Sequence, residues 1–533
     1  MSDPLTTPQQ APGKPLRILG PMPSLTLVRA ERMRRDFALY CKRAWQEIDP
    51  APLLWGWHLD ALCVALQAIA EHTIEDLLIN IPPGHAKSMI ASVLWPTWRW
   101  AVDPTWQLLG ASYEVGLSTR DAVKSRTLMN SAWYRDHFRN PADNRPASPG
   151  RKAIVRNWEM QDDQDLKTLY VNTQGGSRQS FGVGGKATGY RGVCLLVDDA
   201  LKAEDAYSEV KRAEAIRWFN ETMETRFNDL ATRERVMICQ RLHEDDLPAH
   251  LIKQGGWQHM NLMSEFDPAR KSVIKRKDGS ILWEDPRTTA GDLLFAAKFP
   301  QKVLDKLKVA LGSYAYSAQH QQLATPAAGG IIKRAWLSHR WTFPGTVPMP
   351  GQIHRKIPYV FDTLEIFTDA AFKETKTSDF VFVGVFGRQG PDVYLLDCKW
   401  ARMGLVDTVQ SIRDLKHKWK RISTIAVEDK ANGSAIIELL KTEFPGVLPV
   451  EPTGSKEARI QAASKFMETG NFWLPSDATW VTNGQTKTVG ELVEEACSFP
   501  NARNDDAIDA CAQALNRLLT NSRLAWLERL CTT

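Results

Sequence analysis

The chain has 533 residues, 43% of them hydrophobic and 24% charged, with a formal net charge of +5. That length exceeds one core and predicts two to four domains. The composition is that of globular protein, and the near-balanced charge confines any basic surface to local patches. No run of about 18 apolar residues occurs, so no membrane span is expected.

Residues 1–24 hold six prolines and read as a flexible arm. Residues 26–48 are amphipathic and predict one helix; 55–70 predict a second. The run Leu77–Ile81 reads as a short buried strand, broken by Pro82, Pro83 and Gly84. Lys87 and Ser88 then open an apolar stretch that predicts a helix. Strand, tight loop, Lys-Ser, helix is the P-loop order. Loop amides and the helix N-terminus face a polyphosphate, the lysine reaches its outer phosphates, and the serine hydroxyl binds Mg²⁺. Pro83, Gly84, His85, Ala86, Lys87 and Ser88 are therefore the candidate ATP-binding residues. Ala86 stands where the pattern has its second glycine, and Ile81 where it has its first. Alanine narrows the loop's access to positive φ. An ordinary strand-turn-helix with a surface lysine is the alternative. Trp57 and His58, just upstream, are candidates for an adenine contact or, equally, for a helix cap and a core ring.

Residues 106–112 predict a second strand and 118–129 a basic helix; 139–151 read as loop. Residues 168–171 and 180–183 suggest a hairpin. Val193–Asp199 is an apolar strand ending in two acids. Its first acid, Asp198, would hold Mg²⁺ through water, and Asp199 would orient the attacking water. A further strand, Arg235–Leu242, carries Gln240 and Arg241 at its end, where a polar side chain can sense the γ-phosphate. Strands alternating with helices predict an α/β domain with a doubly wound, mostly parallel sheet over 25–254. Residues 255–330 read as a lid or linker subdomain. Thr325–Gly330 resembles a hinge, and 331–360 a linker with a proline-rich connection at 344–358. The basic run 270–277 is a solvated loop or a phosphate contact.

The second half has another pattern. Leu364–Asp369, 379–388 and 393–400 predict three consecutive antiparallel strands. A helix at 406–419, a strand at 422–429 ending in Glu428-Asp429, and further alternation follow, up to a helix beginning at Asn504–Ala510. This is the order of the ribonuclease H-like fold, expected over 361–520, with a tail at 521–533. Asp369, Glu428 and the Asp505/Asp506/Asp509 group fall where that chemistry needs acids for two divalent metals. Asp506 and Asp509 share a helix face. Two metals on the order of 4 Å apart would stabilise the attacking and leaving oxygens of phosphodiester hydrolysis. Carboxylate oxygens suit Mg²⁺ or Mn²⁺. Asp506 either binds the second metal or caps its helix.

Eight scattered cysteines (41, 63, 194, 239, 398, 497, 511, 531) show no metal spacing and read as small buried hydrophobes of a reducing cytoplasm. The tryptophans at 95, 98, 100 and 106 read as packing.

The P-loop of form Pro-Pro-Gly-His-Ala-Lys-Ser, Thr188–Gly192 leading into Asp199, Gln240–Asp246, Val427–Gly433 and Asn504–Ala510 together resemble the large terminase subunit of tailed bacteriophages, over roughly residues 50–520. The resemblance implies an ATP-driven motor that docks on the portal protein of a procapsid, translocates double-stranded DNA and cuts concatemers with its nuclease. It also implies a small terminase subunit as partner, a homo-oligomeric ring, and a host-cytoplasmic location rather than the mature virion. Some members carry an arginine within the P-loop; none stands here, and Arg191 and Arg241 are the substitutes considered. Two other readings stay open: a cellular DNA repair or recombination ATPase with a fused nuclease, and a DNA-binding scaffold with degenerate sites.

Overall fold

The computed structural model describes residues 24–144, 155–185, 189–324, 330–343, 351–369, 380–429, 433–451, 454–500 and 504–531, with side chains of 162–165 and 521–531 left out. The expected N-terminal arm, most of the 325–330 hinge, residues 344–350 of the proline-rich connection, Thr188 and Asn432 lie outside the described residues.

The first sheet comprises β1 (Asp76–Asn80), β2 (Gln107–Ser112), β3 (Met160–Asp165), β4 (Leu169–Asn172), β5 (Ser177–Gly182), β6 (Cys194–Asp198), β7 (Glu234–Cys239) and β8 (Gln258–Asn261). Their order is β3-β4-β5-β2-β6-β7-β1-β8. β5, β2, β6, β7, β1 and β8 run parallel, and β3 and β4 add an antiparallel edge. β1, β6 and β7 are buried along their whole length, which is why they carry the apolar runs 77–79, 194–197 and 236–239. The doubly wound, mostly parallel α/β expectation is thus met. β8 lies past residue 254 yet completes this sheet beside β1.

Two local expectations change. Residues 26–48 form two α-helices, Leu25–Arg35 and Phe37–Ala44, not one. Asp36 adopts extended backbone between them, and its carboxylate caps the second helix through the Leu39 N–H. The helix after the P-loop opens as a π-helical turn, Met89–Leu94, before the α-helix Trp95–Val102. Pro96 has no N–H to give the Ser92 carbonyl. Buried Arg178 donates to that carbonyl instead, at 2.8 Å. Trp95, Trp98, Trp100 and Trp106 are buried, and each indole N–H has a partner, so packing is their role.

Residues 273–284 form a hairpin of β9 (Val273–Lys275) and β10 (Ile281–Glu284). The long helix Gln301–Gln319 follows, kinked at Gly312. The second sheet contains β11 (His339–Thr342), β12 (Ile353–Lys356), β13 (Thr363–Asp369), β14 (Phe380–Gln389), β15 (Asp392–Arg402), β16 (Thr424–Glu428), β17 (Val447–Val450) and β18 (Phe472–Pro475), in the order β12-β11-β18-β15-β14-β13-β16-β17. β13, β14 and β15 are the expected antiparallel meander, and β16 lies parallel to β13. β11 and β12, expected as linker, extend the other edge of this sheet. One face packs on helices Lys456–Glu468 and Asp506–Cys531 around Phe367, Phe382, Ile460 and Leu515. The other face packs on Leu405–Lys418 and Gly433–Lys441. The last helix continues through the expected tail to Cys531. Among the described residues, no helix is long and apolar enough to cross a membrane.

Candidate phosphate and carboxylate sites

The first site lies at the carboxyl ends of β1, β6 and β7. After β1 the chain turns through Pro82–Ala86, with Gly84 at φ +79° and Ala86 at φ +58°. The loop therefore takes the left-handed conformation at the position where alanine replaces glycine, at a cost of about 1–2 kcal/mol. Lys87 is buried, and its ammonium donates to Asp199 Oδ1 at 2.6 Å. Burial works against that charge, but Asp199 and Asp198 outweigh it and raise the lysine pKa. Asp198 receives the Ser92 hydroxyl at 2.7 Å and lies beside the Ser88 hydroxyl. Burial and then the neighbouring Asp199 push its carboxyl up to about 6. Asp198 Oδ1 is buried and accepts no hydrogen bond. A buried carboxylate oxygen left without a donor suits a cation, so Ser88 and Asp198 fit a hydrated Mg²⁺. The Gln240 backbone N–H points to Asp199 Oδ1 at 3.4 Å. Lys87, Ser88, Asp198, Asp199 and Gln240 thus meet.

The two arginines do not join them. Arg241 shares its Nε–H between both oxygens of Asp246, each at 3.0 Å, and donates from Nη2 to the His243 carbonyl. Arg191 donates to the Phe227 carbonyl. Arg241's charge is already matched by a buried carboxylate, which a sequence does not show. Trp57 stacks on Trp283 with Arg287 over its face, and buried His58 packs against Phe295 and His85. Both rings are thus packed among aromatic neighbours beside the phosphate loop. His85 donates its Nδ1–H to the Pro83 carbonyl at 3.0 Å and stacks on Phe299 at 4.6 Å. Lys298 donates to the Gly84 carbonyl at 2.8 Å. Lys298 and Phe299, from the stretch read only as lid or linker, sit directly on the loop; the aromatic-basic run Phe295–Phe299 was their signal.

The second site is built from strand ends and one helix. β13 ends in Asp369, β16 in Glu428, and the first turn of helix Asp506–Cys531 carries Asp509. Oxygens of these three buried acids lie within 4.8 Å of one another. Glu428 accepts from the Gln513 amide at 2.6 Å. Arg459 grips Asp509 through both carboxylate oxygens, its Nε at 3.0 Å. Asp369 Oδ2 is buried without a hydrogen-bond donor. Burial foremost, then Asp509, Glu428 and Asp506, push the Asp369 carboxyl up to about 7 against the pull of Lys456. Clustered hard oxygens, one lacking a donor, fit a divalent cation.

Asp506 stands apart from that three-acid group, its Oδ1 3.9 Å from Lys456 Nζ. The N–H groups of Ala507 and Ile508 are taken by Glu495, at 2.9 and 3.1 Å. Burial pushes Glu495 up to about 8. Lys456, Arg459, Gln513 and Glu495 are the residues sequence reasoning missed. All four lie on helices, where charged residues ordinarily face water.

Residues 366–518 match the family model described as the terminase RNase H-like domain. The carboxylate site lies inside the residues that match this domain model. That match bears out the family resemblance stated from the motifs. A comparison with curated proteins finds no match. Among solved structures, the chain is similar to the large terminase of a thermophilic bacteriophage (11% identity, 85% of this chain and 98% of that one, TM-score 0.43). It is also similar to the HK97 bacteriophage large terminase (10% identity, 92% and 99%, TM-score 0.33). A third likeness is to the large terminase nuclease of thermophilic phage G20c with bound magnesium (13% identity, 36% and 98%, TM-score 0.25). Within the terminase RNase H-like domain, all three clustered acids fall inside the matched residues.

Proposed function

We propose that this chain is the motor and nuclease subunit of a viral DNA-packaging machine, the large terminase subunit. One observation carries the reading: a P-loop lysine paired with a strand-end carboxylate, and a terminase RNase H-like domain with three converging acids, occur in a single chain.

In the first domain, ATP binding would place its phosphates on the Gly84–Ser88 amides. Lys87 would exchange Asp199 for the γ-phosphate, because a phosphate oxygen carries more charge than the carboxylate it displaces. Asp199, freed, would accept a proton from or orient the attacking water. Ser88 and Asp198 would hold Mg²⁺, which neutralises developing phosphate charge when bound. The transferring arginine would have to be released from its present partner or come from a neighbouring subunit; Arg191 and Arg241 stay the candidates in cis.

In the second domain, Asp369, Glu428 and Asp509 would hold Mg²⁺ or Mn²⁺, which supplies Lewis-acid charge to a phosphodiester. Arg459 and Gln513 hold two of these acids in place. Double-stranded DNA is the cargo of the motor and the substrate of the nuclease in this reading. Portal protein, a small terminase subunit, a homo-oligomeric ring and the host cytoplasm are the partners and place that go with it.

Separation of function tests the reading. Lys87→Ala should abolish ATP hydrolysis while metal-dependent cleavage of plasmid DNA stays within about twofold, since the two sites occupy different sheets. Asp369→Ala, Glu428→Ala and Asp509→Ala should each do the reverse. Loss of both activities in one of these variants, with folding intact, would count against two independent sites, and wild-type ATPase in Lys87→Ala would remove the P-loop assignment.

A further inference from the structure

Lys456 is the first residue of the helix Lys456–Glu468. A cation there opposes the helix dipole, whose N-terminal end favours acids, so local helix chemistry does not account for it. Its ammonium lies 3.6 Å from Asp369 Oδ2, 3.8 Å from Asp509 Oδ2 and 3.9 Å from Asp506 Oδ1. Asp505 tethers it with a 2.8 Å hydrogen bond. Asp369 and Asp509 belong to the three-acid group and Asp506 does not, so the ammonium lies where an ion shared between that group and Asp506 would sit.

We propose that Lys456 is the built-in second cation of the carboxylate centre, so that the centre takes one divalent ion rather than two. This rests on the nuclease reading above and changes its metal count. A single positive charge on a covalent tether occupies the Asp369/Asp506/Asp509 position. The Asp505 hydrogen bond keeps it over the acids, and Arg459, one helical turn on, matches the remaining charge of Asp509. A divalent ion entering that position would have to displace the ammonium into solvent and break the Asp505 bond. On the Glu428 side stands Arg459, bonded to both oxygens of Asp509 and 4.0 Å from Glu428 Oε2, so an ion held between Asp369 and Glu428 leaves the Lys456–Asp505 bond in place. Asp506 is then a partner of Lys456 rather than a metal ligand.

The test counts Mn²⁺ bound per full-length, nucleotide-free chain, by the electron paramagnetic resonance signal of free Mn²⁺. Asp198→Asn throughout removes the metal-facing carboxylate of the phosphate site. Adding Asp369→Ala gives the baseline, and the difference is the occupancy of the carboxylate centre. The expected difference is one ion with Lys456 present, one with Lys456→Arg, and two with Lys456→Met, which keeps length without charge. In Lys456→Met the first ion should also bind at least roughly tenfold tighter, since a positive charge within about 4 Å is gone. Two ions with Lys456 in place, or one in Lys456→Met, overturns the proposal. The unsubstituted lysine alone decides if the methionine variant does not fold. No difference in any chain overturns the metal reading of the centre itself.

Discussion

Asp369→Asn sets stability against function at one atom. The Asp369 carboxyl rises from an ordinary 3.8 to about 7, with burial the largest cause. A carboxyl raised on folding contributes stability that is fully present below the unfolded value and lost as pH rises through the folded one. Metal-free protein should therefore lose stability between about pH 4 and 7. At about 1.4 kcal/mol per pH unit, the ionised form costs the fold up to about 4 kcal/mol at pH 8. Local water reduces this to about 1–3 kcal/mol. Asparagine removes the charge and offers its amide to neighbouring acids whose oxygens lie within 4.8 Å. In EDTA at pH 8, Asp369→Asn should melt roughly 3–9 °C above wild type, and the gap should narrow to about a third by pH 5 and close near pH 4. With Mg²⁺ near 100 times its Kd the wild type should regain about 2.7 kcal/mol, whereas the variant should not respond and should not cut DNA. A variant that is less stable than wild type in EDTA at pH 8 would refute the electrostatic account of this site. A variant that still gains stability from Mg²⁺ would remove Asp369 from the ligand set.

Asp199→Asn should bind ATP with little change and hydrolyse it about 10²–10⁴-fold more slowly, because the carboxylate that would handle water is lost; full turnover in this variant assigns the role elsewhere. Ala86→Gly relieves a left-handed alanine at φ +58° and should leave stability unchanged or raise it by up to about 1 kcal/mol, whereas Ala86→Val should lower it by about 1–2 kcal/mol; denaturant midpoints compare them. Buried His58 has both ring nitrogens without partners. Burial, then His85 and Arg287, pull its pKa from 6.5 to about 3. A base depressed in this way contributes stability above pH 6.5 that is lost as pH falls towards the folded value. Between pH 6.5 and 4.5, His58→Leu should lose about 1–2 kcal/mol less stability than wild type; identical acid limbs in urea titrations would show that His58 is not the acid-sensitive group.

By itself the sequence determined what depends on neighbours along the chain. Apolar runs broken by proline and glycine, or ending in Asp-Asp and in Glu-Asp, placed β1, β6, β13 and β16 within a residue or two, because a buried strand needs continuous apolar residues and its end delivers the next side chains to one edge. Lys87, Ser88, Asp198, Asp199, Asp369, Glu428 and Asp509 were legible for that reason. Tertiary structure decided which charges those acids meet. Arg241 reads as free in sequence but is held by Asp246. Nothing along the chain singles out Lys456 and Arg459; packing against the helix from Asp506 turns them onto acids some 50 residues away. Glu495 reaches the N–H groups of Ala507 and Ile508 from a separate helix. Lys298 reaches the P-loop from more than 200 residues along the chain. A side chain's type is local, but its counter-charge and its burial are set by which elements pack together, and in both sites that pairing fixes where a cation can sit.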